Sequence, residues 1–359
     1  MAITVTVSTY GESIFGKRYV GLDQTAIQNA INYLSSNGGG VCFIDSGLYT
    51  ISFPINVDSN IEICGEGVHT ILRNNLSPIG TNGMIMINPS NGVKKENIFI
   101  HSLLMGNNQK NKIGYNAIFA NQVSRGLVIE NCIISNNNNS AIVLSECSDF
   151  KIEKNVISYN GKNGIDLLSC NKGIVQYNQM DNNLNSILIT NSELNSIVTN
   201  LIQNNELSGV GLSNSHKNIV SSNISQSNKN DGLKLENSNN NRIFGNQLTN
   251  NQSHGLSLTM SNSNNITSNS FQNNLTSGFI AEGSNYNSIV MNISQHNNSG
   301  GITLDNSVKN VLSSNTIQFN SSYGLLVKEN AYDNIVTSNI YDNLSINSQR
   351  NILESNILK

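Results

Sequence analysis

The sequence predicts an all-β chain wound as a right-handed parallel β-helix, a solenoid of about 23 residues per turn, and three observations carry that prediction. The first is a returning asparagine: Asn131, Asn155, Asn178, Asn200, Asn223, Asn246, Asn269, Asn292, Asn315 and Asn339 span 208 residues in nine steps. A mean step of about 23 is a period typical of stacked supersecondary units. The second is a returning glycine, at Gly164, Gly209, Gly232, Gly255, Gly278, Gly301 and Gly324, with Ser186 filling the gap; the last six lie 23 apart. The third is alternation. After each glycine the first and third residues are apolar, as in Ile165 and Leu167, Leu233 and Leu235, Leu256 and Leu258, Phe279 and Ala281, and Ile302 and Leu304. Alternate side chains of a strand point to opposite faces, so these residues form the core.

The elements follow in chain order. Residues 1–40 form an N-terminal cap containing a helix over 22–34, with Asp23 as its cap and Ile27, Ala30, Ile31 and Leu34 on one face. Such a helix covers the apolar end of a solenoid, which otherwise leaves unpaired strands open. Gly38-Gly39-Gly40 ends it, and Val41-Cys42-Phe43-Ile44 opens the strands. Residues 41–359 then form one continuous β-helix of short strands separated by Asn, Ser and Gly bends. Equivalent residues stack about 4.8 Å apart, and asparagines stacked at bends hydrogen-bond along the axis. That role accounts for the abundance of Asn, and for sequons such as Asn75-Leu76-Ser77. The repeat weakens after Asn343 and shows no second amphipathic cap, so the C-terminal end is expected to self-associate or meet a partner, unless 344–350 folds over the last rung.

Composition narrows the function. Hydrophobic residues make up 37% and charged residues 12%, with 20 Lys plus Arg against 23 Asp plus Glu and a formal net charge of -3. There is no basic field for nucleic acid and no polybasic or spanning segment for a membrane. Met1 to Gly11 lacks the basic start and apolar core of a secretory signal, yet a chain of this kind is expected outside the cell or on a particle surface. Five cysteines without a C-x-x-C pair indicate free thiols; Cys147 and Cys170, 23 apart, should stack on adjacent turns.

Two stretches carry a resemblance to known families. Asp23 to Ile31, Gly38 to Val41, Gly47-Leu48-Tyr49-Thr50-Ile51 and Ile61 to Gly67 resemble the opening of pectate-lyase-like β-helix proteins. Asn230-Asp231-Gly232-Leu233, Ser253-His254-Gly255-Leu256 and Thr276-Ser277-Gly278-Phe279 resemble consecutive turns of the mannuronan C5-epimerase catalytic module. That resemblance implies substrate-cleft roles for His254 and Glu236. One turn earlier this chain departs from the family's Tyr-Gly-Phe-Asp-Pro-His: it reads Ser208-Gly209-Val210-Gly211-Leu212-Ser213-Asn214-Ser215. Tyrosine is replaced by Ser208 or Val210, and histidine by Ser213 or Ser215, none of which replaces a phenol or imidazole in proton transfer.

The repeat places Asp231, Lys234, Glu236 and His254 on neighbouring turns, a general base, a cation and an acid suited to elimination or epimerisation of a uronate. The alternative assigns Asp231 and His254 as solvated bend residues and Lys234 and Glu236 as surface charges. Asp166, Glu282, Asp305 and Lys328 project from the same face as substrate-binding candidates. Calcium would need Glu236, Glu282 and Asp305 to converge across separated turns, so no dedicated ion site or other cofactor is indicated. Two functions therefore follow: binding or modification of an anionic polysaccharide by lyase- or epimerase-type chemistry, or a non-catalytic adhesive or structural solenoid of a surface, spore or phage tail.

Overall fold

A computed structural model describes residues 3–9, 17–76, 82–90, 92–106 and 115–359. Of the stretch Met1 to Gly11 only 3–9 are therefore described, and Ser77 of the sequon lies outside the described residues. The fold is the expected all-β parallel solenoid, with one short helix, near the N-terminus, among the described residues. The chain divides into two compact units, Met1–Asn183 and Leu184–Lys359.

The first unit opens differently from the expectation. Two strands precede the helix: Thr4–Ser8 pairs in parallel with both Lys17–Val20 and Gly40–Ile44, so the first rung begins at Thr4 and not at Val41. The helix runs Gln24–Ser36, two residues later than the pattern suggested, because Asp23 is its N-cap. The Asp23 carboxylate accepts the Thr25 and Ala26 backbone N–H groups at 2.9 and 3.3 Å, two of the donors a helix start leaves free. Ile27, Ala30, Ile31 and Leu34 are all buried, which is the capping face that the spacing required. Gly39, at φ 115°, closes the helix by donating its N–H to Leu34 O.

The early turns are not of one length. Ile61 pairs with Ile98, 37 residues on; Phe99 pairs with Val128, 29 on; Val128 then pairs with Lys151, 23 on. The ladder asparagine also needs correction at its first position. Cys132, and not Asn131, occupies the slot below Asn155, its backbone N–H donating to Asn155 Oδ1 at 2.9 Å. Asn131 is the left-handed residue just before it, at φ 50°. All five cysteines are free and buried, and Cys147 and Cys170 stand on adjacent turns with their thiols donating to backbone carbonyls of their own turns, Ser145 O and Leu168 O, each at 3.3 Å.

In the second unit the period is almost invariant. From Ile187 to Val290 each turn carries a four-residue strand and two three-residue strands, as in Leu233–Glu236, Arg242–Phe244 and Gln247–Thr249, each pairing in parallel with its equivalent 23 residues on; near the end the step changes, to 24 from Val311 to Ile335, 19 from Leu325 to Leu344 and 17 from Ile335 to Ile352. Leu233, Leu235, Leu256, Leu258, Phe279, Ala281, Ile302 and Leu304 are no more than 1% exposed. Space is tight at the marker glycines: a Cβ on Gly255 would lie 2.6 Å from Gly278 O and 3.0 Å from Asn274 Nδ2, while the equivalent slot one turn before Gly209 holds the buried Ser186.

Between the strands, asparagines form buried amide ladders. Asn246 is representative. Its Oδ1 accepts both the backbone N–H and the Nδ2–H of Asn223 at 3.0 Å, while its own Nδ2 donates to Val220 O at 2.8 Å and Asn269 Oδ1 at 2.9 Å. At the far end, Leu344–Ile346 continues the register from Leu325–Val327, so this stretch adds a rung and does not fold over one. The last strands, Ile352–Glu354 and Ile357–Leu358, leave Ile352, Leu353, Ile357 and Leu358 exposed.

Two substitutions test this account. Leu256→Ala should lower stability by roughly 2–5 kcal/mol, because a fully buried side chain with rungs on both sides leaves a cavity. Asn246→Ala should cost about 1–3 kcal/mol for each buried backbone group that loses its partner. Denaturant melts followed by circular dichroism measure both, and near-native melting of either variant would contradict the register.

Candidate functional site

The strand Leu233–Glu236 turns Leu233 and Leu235 inward and therefore sends Lys234 and Glu236 out. Parallel in-register pairing builds columns on this outer face. One runs Gly211, Lys234, Ser257, Ile280, Thr303; the next runs Ser213, Glu236, Thr259, Glu282, Asp305. Because Gly211 carries no side chain, a hollow of about 180 Å³ opens beside Lys234, with Asn185, Leu188, Ser208, Ser213 and Glu236 among its walls.

Lys234 and Glu236 form one ion pair at 3.4 Å, both side chains partly exposed. Asp231 is engaged elsewhere. It is 4% exposed, its Oδ1 accepts the His254 backbone N–H at 2.9 Å, and its Oδ2 accepts the Ser257 hydroxyl at 2.7 Å. The carboxylate thus braces one turn against the next. The His254 ring reaches the following turn, where Nδ1 accepts the Ser277 backbone N–H at 3.3 Å and lies 2.9 Å from Thr276 Oγ1. With Nδ1 accepting, the neutral ring carries its proton on Nε2. Neither residue is the solvated bend side chain of the alternative reading. Lys234 and Glu236 do sit at the surface.

Burial holds the His254 imidazole below its ordinary value, against the opposing influence of Asp231 and Glu282. Among the substrate-binding candidates, Glu282 is exposed, and Asp305 is paired with Lys328 at 2.6 Å. Thr259 stands on the rung between Glu236 and Glu282, so of the three acids considered for calcium Glu236 is set apart, while Glu282 and Asp305 are on adjacent rungs. Asp166, in the first unit, accepts the Ser140 hydroxyl and the Asn163 amide, each at 2.6 Å; burial nonetheless pushes its carboxyl above the usual range. Two outward positions, Ser257 and Thr303, are only 6% and 4% exposed, which alternation alone does not reveal. The Gly211 hollow also escaped the sequence reading, although a glycine at an outward strand position was its signal.

The positions answering to the epimerase tyrosine and histidine hold no equivalent chemistry. Ser208 is 4% exposed and its backbone N–H is tied to Asn185 Oδ1; Val210 is core; Ser215 is buried, with its hydroxyl donating to backbone carbonyls. Only Ser213 faces outward, at the wall of the hollow.

The His254 environment fixes the sign of a pH effect. A histidine whose folded pKa is depressed stabilises the fold fully above the unfolded value of 6.5, and that contribution falls as the pH drops through it toward the folded value. The melting temperature should therefore fall on acidification below pH 6.5, and His254→Gln should flatten that slope. An unchanged slope in the variant, measured by thermal melts across a pH series, would remove His254 as its source.

Among solved structures, the A-module of mannuronan C-5 epimerase AlgE6 from Azotobacter vinelandii is 14% identical, with a TM-score of 0.65 over 94% of this chain and 95% of that one. The Dettilon tailspike protein is 17% identical, with a TM-score of 0.67 over 92% of this chain and 64% of that one. Tailspike protein 3 of bacteriophage CBA120 is 13% identical, with a TM-score of 0.63 over 92% of this chain and 56% of that one. These likenesses are of fold. No curated protein matches the sequence. The model of the right handed beta helix region matches residues 116–271 and 252–358, more than half of the chain, and the chain belongs to that family.

Proposed function

We propose that the protein binds a polysaccharide along the outward column Ser213, Glu236, Thr259, Glu282 and Asp305, with the Gly211 hollow as its anchoring subsite. One observation carries this reading. The column presents a polar side chain at every rung on an accessible face, in register. Its spacing of about 4.8 Å is close to the length of one sugar ring, so successive sugars can meet successive turns. Carboxylates and hydroxyls accept from and donate to sugar hydroxyls. Lys234, at the hollow, is placed to meet one uronate carboxylate. The structural relatives support a carbohydrate setting, since they include a mannuronan C-5 epimerase module and tailspike proteins. The site of action would then be a cell or particle surface, where such polymers lie.

Charge argues for binding over chemistry on an anionic chain. Lys234 and Lys328 are both already paired with acids, and Glu282 adds a further negative charge, so a polyuronate gains little from this face beyond the hollow. A second reading has one observation in its favour: burial favours the neutral His254 ring, whose Nε2–H can donate to a sugar oxygen, while taking a C5 proton requires Nδ1 first to release the Ser277 N–H.

Affinity electrophoresis and calorimetry with alginate, pectate and neutral glucans test the proposal. Lys234→Ala combined with Glu236→Ala should weaken binding about tenfold or more while leaving the melting temperature unchanged. Equal binding by the double variant, or no binding to any glycan, overturns it. Ring unsaturation, or solvent deuterium appearing at C5 of a uronate, lost in His254→Ala with Lys234→Ala, would establish the catalytic reading in its place.

A further inference from the structure

The first unit holds a second cluster of chemistry-bearing side chains, unrelated to the outward face of the second. Glu62 and Cys64 alternate with the buried Ile61 and Ile63 on the strand Ile61–Asn74 and so share its outer face. On the next parallel strand, Lys95–Gly106, His101 stands directly in register with Cys64. The carboxylate oxygen, the thiol sulfur and the imidazole nitrogen all lie within 4.8 Å of one another, and His101 Nε2 is 3.1 Å from Glu62 Oε1. Cys64 is only 6% exposed.

From this geometry we propose that Glu62, Cys64 and His101 bind a divalent zinc-class cation. The donor set decides the class of ion: one sulfur, one imidazole nitrogen and one carboxylate oxygen suit zinc and are poor for calcium or magnesium, which select oxygen. Bond lengths of about 2.0–2.3 Å put donors around a tetrahedral ion roughly 3.5 Å apart. The three groups reach that spacing by side-chain rotation of about an ångström, with no change in backbone register.

An independent feature points the same way. The other ring nitrogen of His101, Nδ1, lies 3.1 Å from Ser102 Oγ, and the Phe99 ring stacks on the imidazole with centroids 4.2 Å apart. A hydrogen bond to one nitrogen and a ring packed on the face hold the other nitrogen toward Glu62 and Cys64. This is how metal-ligating histidines are commonly fixed. Glu62, whose side chain is 36% exposed, gives the cluster its contact with solvent, and with Phe99 it also lines a neighbouring hollow of about 460 Å³ whose walls include neither Cys64 nor His101. Binding is a ligand exchange: the Cys64 thiol gives its proton to solvent, a sulfur–metal bond forms, and waters leave the hydrated ion.

The full-length protein, stripped with chelator and returned to metal-free buffer, is titrated with Zn²⁺ by calorimetry and with Co²⁺ by absorption spectroscopy. The expected result is one ion per chain and a thiolate-to-cobalt charge-transfer band. Cys64→Ser should abolish the band, Glu62→Gln should weaken zinc binding at least tenfold, and Ser102→Ala should weaken it on the order of tenfold through the ring alone. His296→Ala, at an exposed histidine of the other unit, should change nothing. Glu62→Gln keeps the size of a partly exposed side chain and removes only its charge, so the variant should keep its melting temperature and its result stands even where Cys64→Ser destabilises the chain. Absence of the charge-transfer band in the native protein, or zinc affinity unchanged in both Glu62→Gln and Ser102→Ala, overturns the proposal.

Discussion

The second unit depends above all on the axial hydrogen bonding of buried asparagine amides. Three such ladders run through it, each linking asparagines of successive turns, as from Asn195 to Asn218, Asn200 to Asn223 and Asn205 to Asn228. An amide is nearly ideal for the task, because it both accepts and donates and can satisfy backbone groups of its own turn while linking to the next. The ladders also permit conformations that are otherwise costly. The residue before each ladder position in one column is left-handed: Ser222, Gly245, Ser268, Met291, Ser314 and Ser338, at φ between 55° and 65°. For residues with a Cβ this conformation costs about 1–2 kcal/mol each. The amide that follows binds the turn tightly enough to hold even methionine there.

A fixed period turns single residues into columns, and a column has properties that no member has alone. Inside, Phe271 stacks on Leu248 and Phe279 on Leu256, each one turn away, so each aromatic ring continues an apolar column of the core. On the outside the same rule sets Asp305 against Lys328 and Lys229 against Glu206, pairs one turn apart. Such exposed pairs contribute little to stability, but they determine which charges remain free to meet a ligand.

Much of this was legible because the period is constant where it matters. Inward Leu256 or Ile302 follows from alternation and a glycine count, and the helix face from Ile27, Ala30, Ile31 and Leu34. Legibility ended where the period changed or where direction along the axis mattered. Cys64 meets His101 across a 37-residue turn, so counting in steps of 23 never brings them together. Asn131 looked like a ladder residue because asparagine also suits the left-handed bend beside the ladder, while the slot itself holds a cysteine. His254 was correctly placed next to Asp231, but their contact runs through the histidine backbone, leaving the ring to the following turn. Sequence spacing gives the neighbour; it does not say which atoms meet.

That last distinction bears on how a solenoid can acquire chemistry at all. Each bend must satisfy backbone groups that strand pairing leaves over, and the side chains best able to do so are the ones a catalytic site would also use. Asp231 spends both carboxylate oxygens on the next turn, and His254 spends Nδ1 likewise, so each serves the stacking before it can serve a substrate. Groups two residues apart on an outward strand escape this demand, since their backbone is paired and their side chains have no bend to close. Lys234 and Glu236 are of that kind, and so are Glu62 and Cys64. In a fold held by axial hydrogen bonds, freedom to bind a ligand therefore belongs to outward strand positions, and it is greatest where a neighbouring rung contributes only a glycine, as Gly211 does beside Lys234.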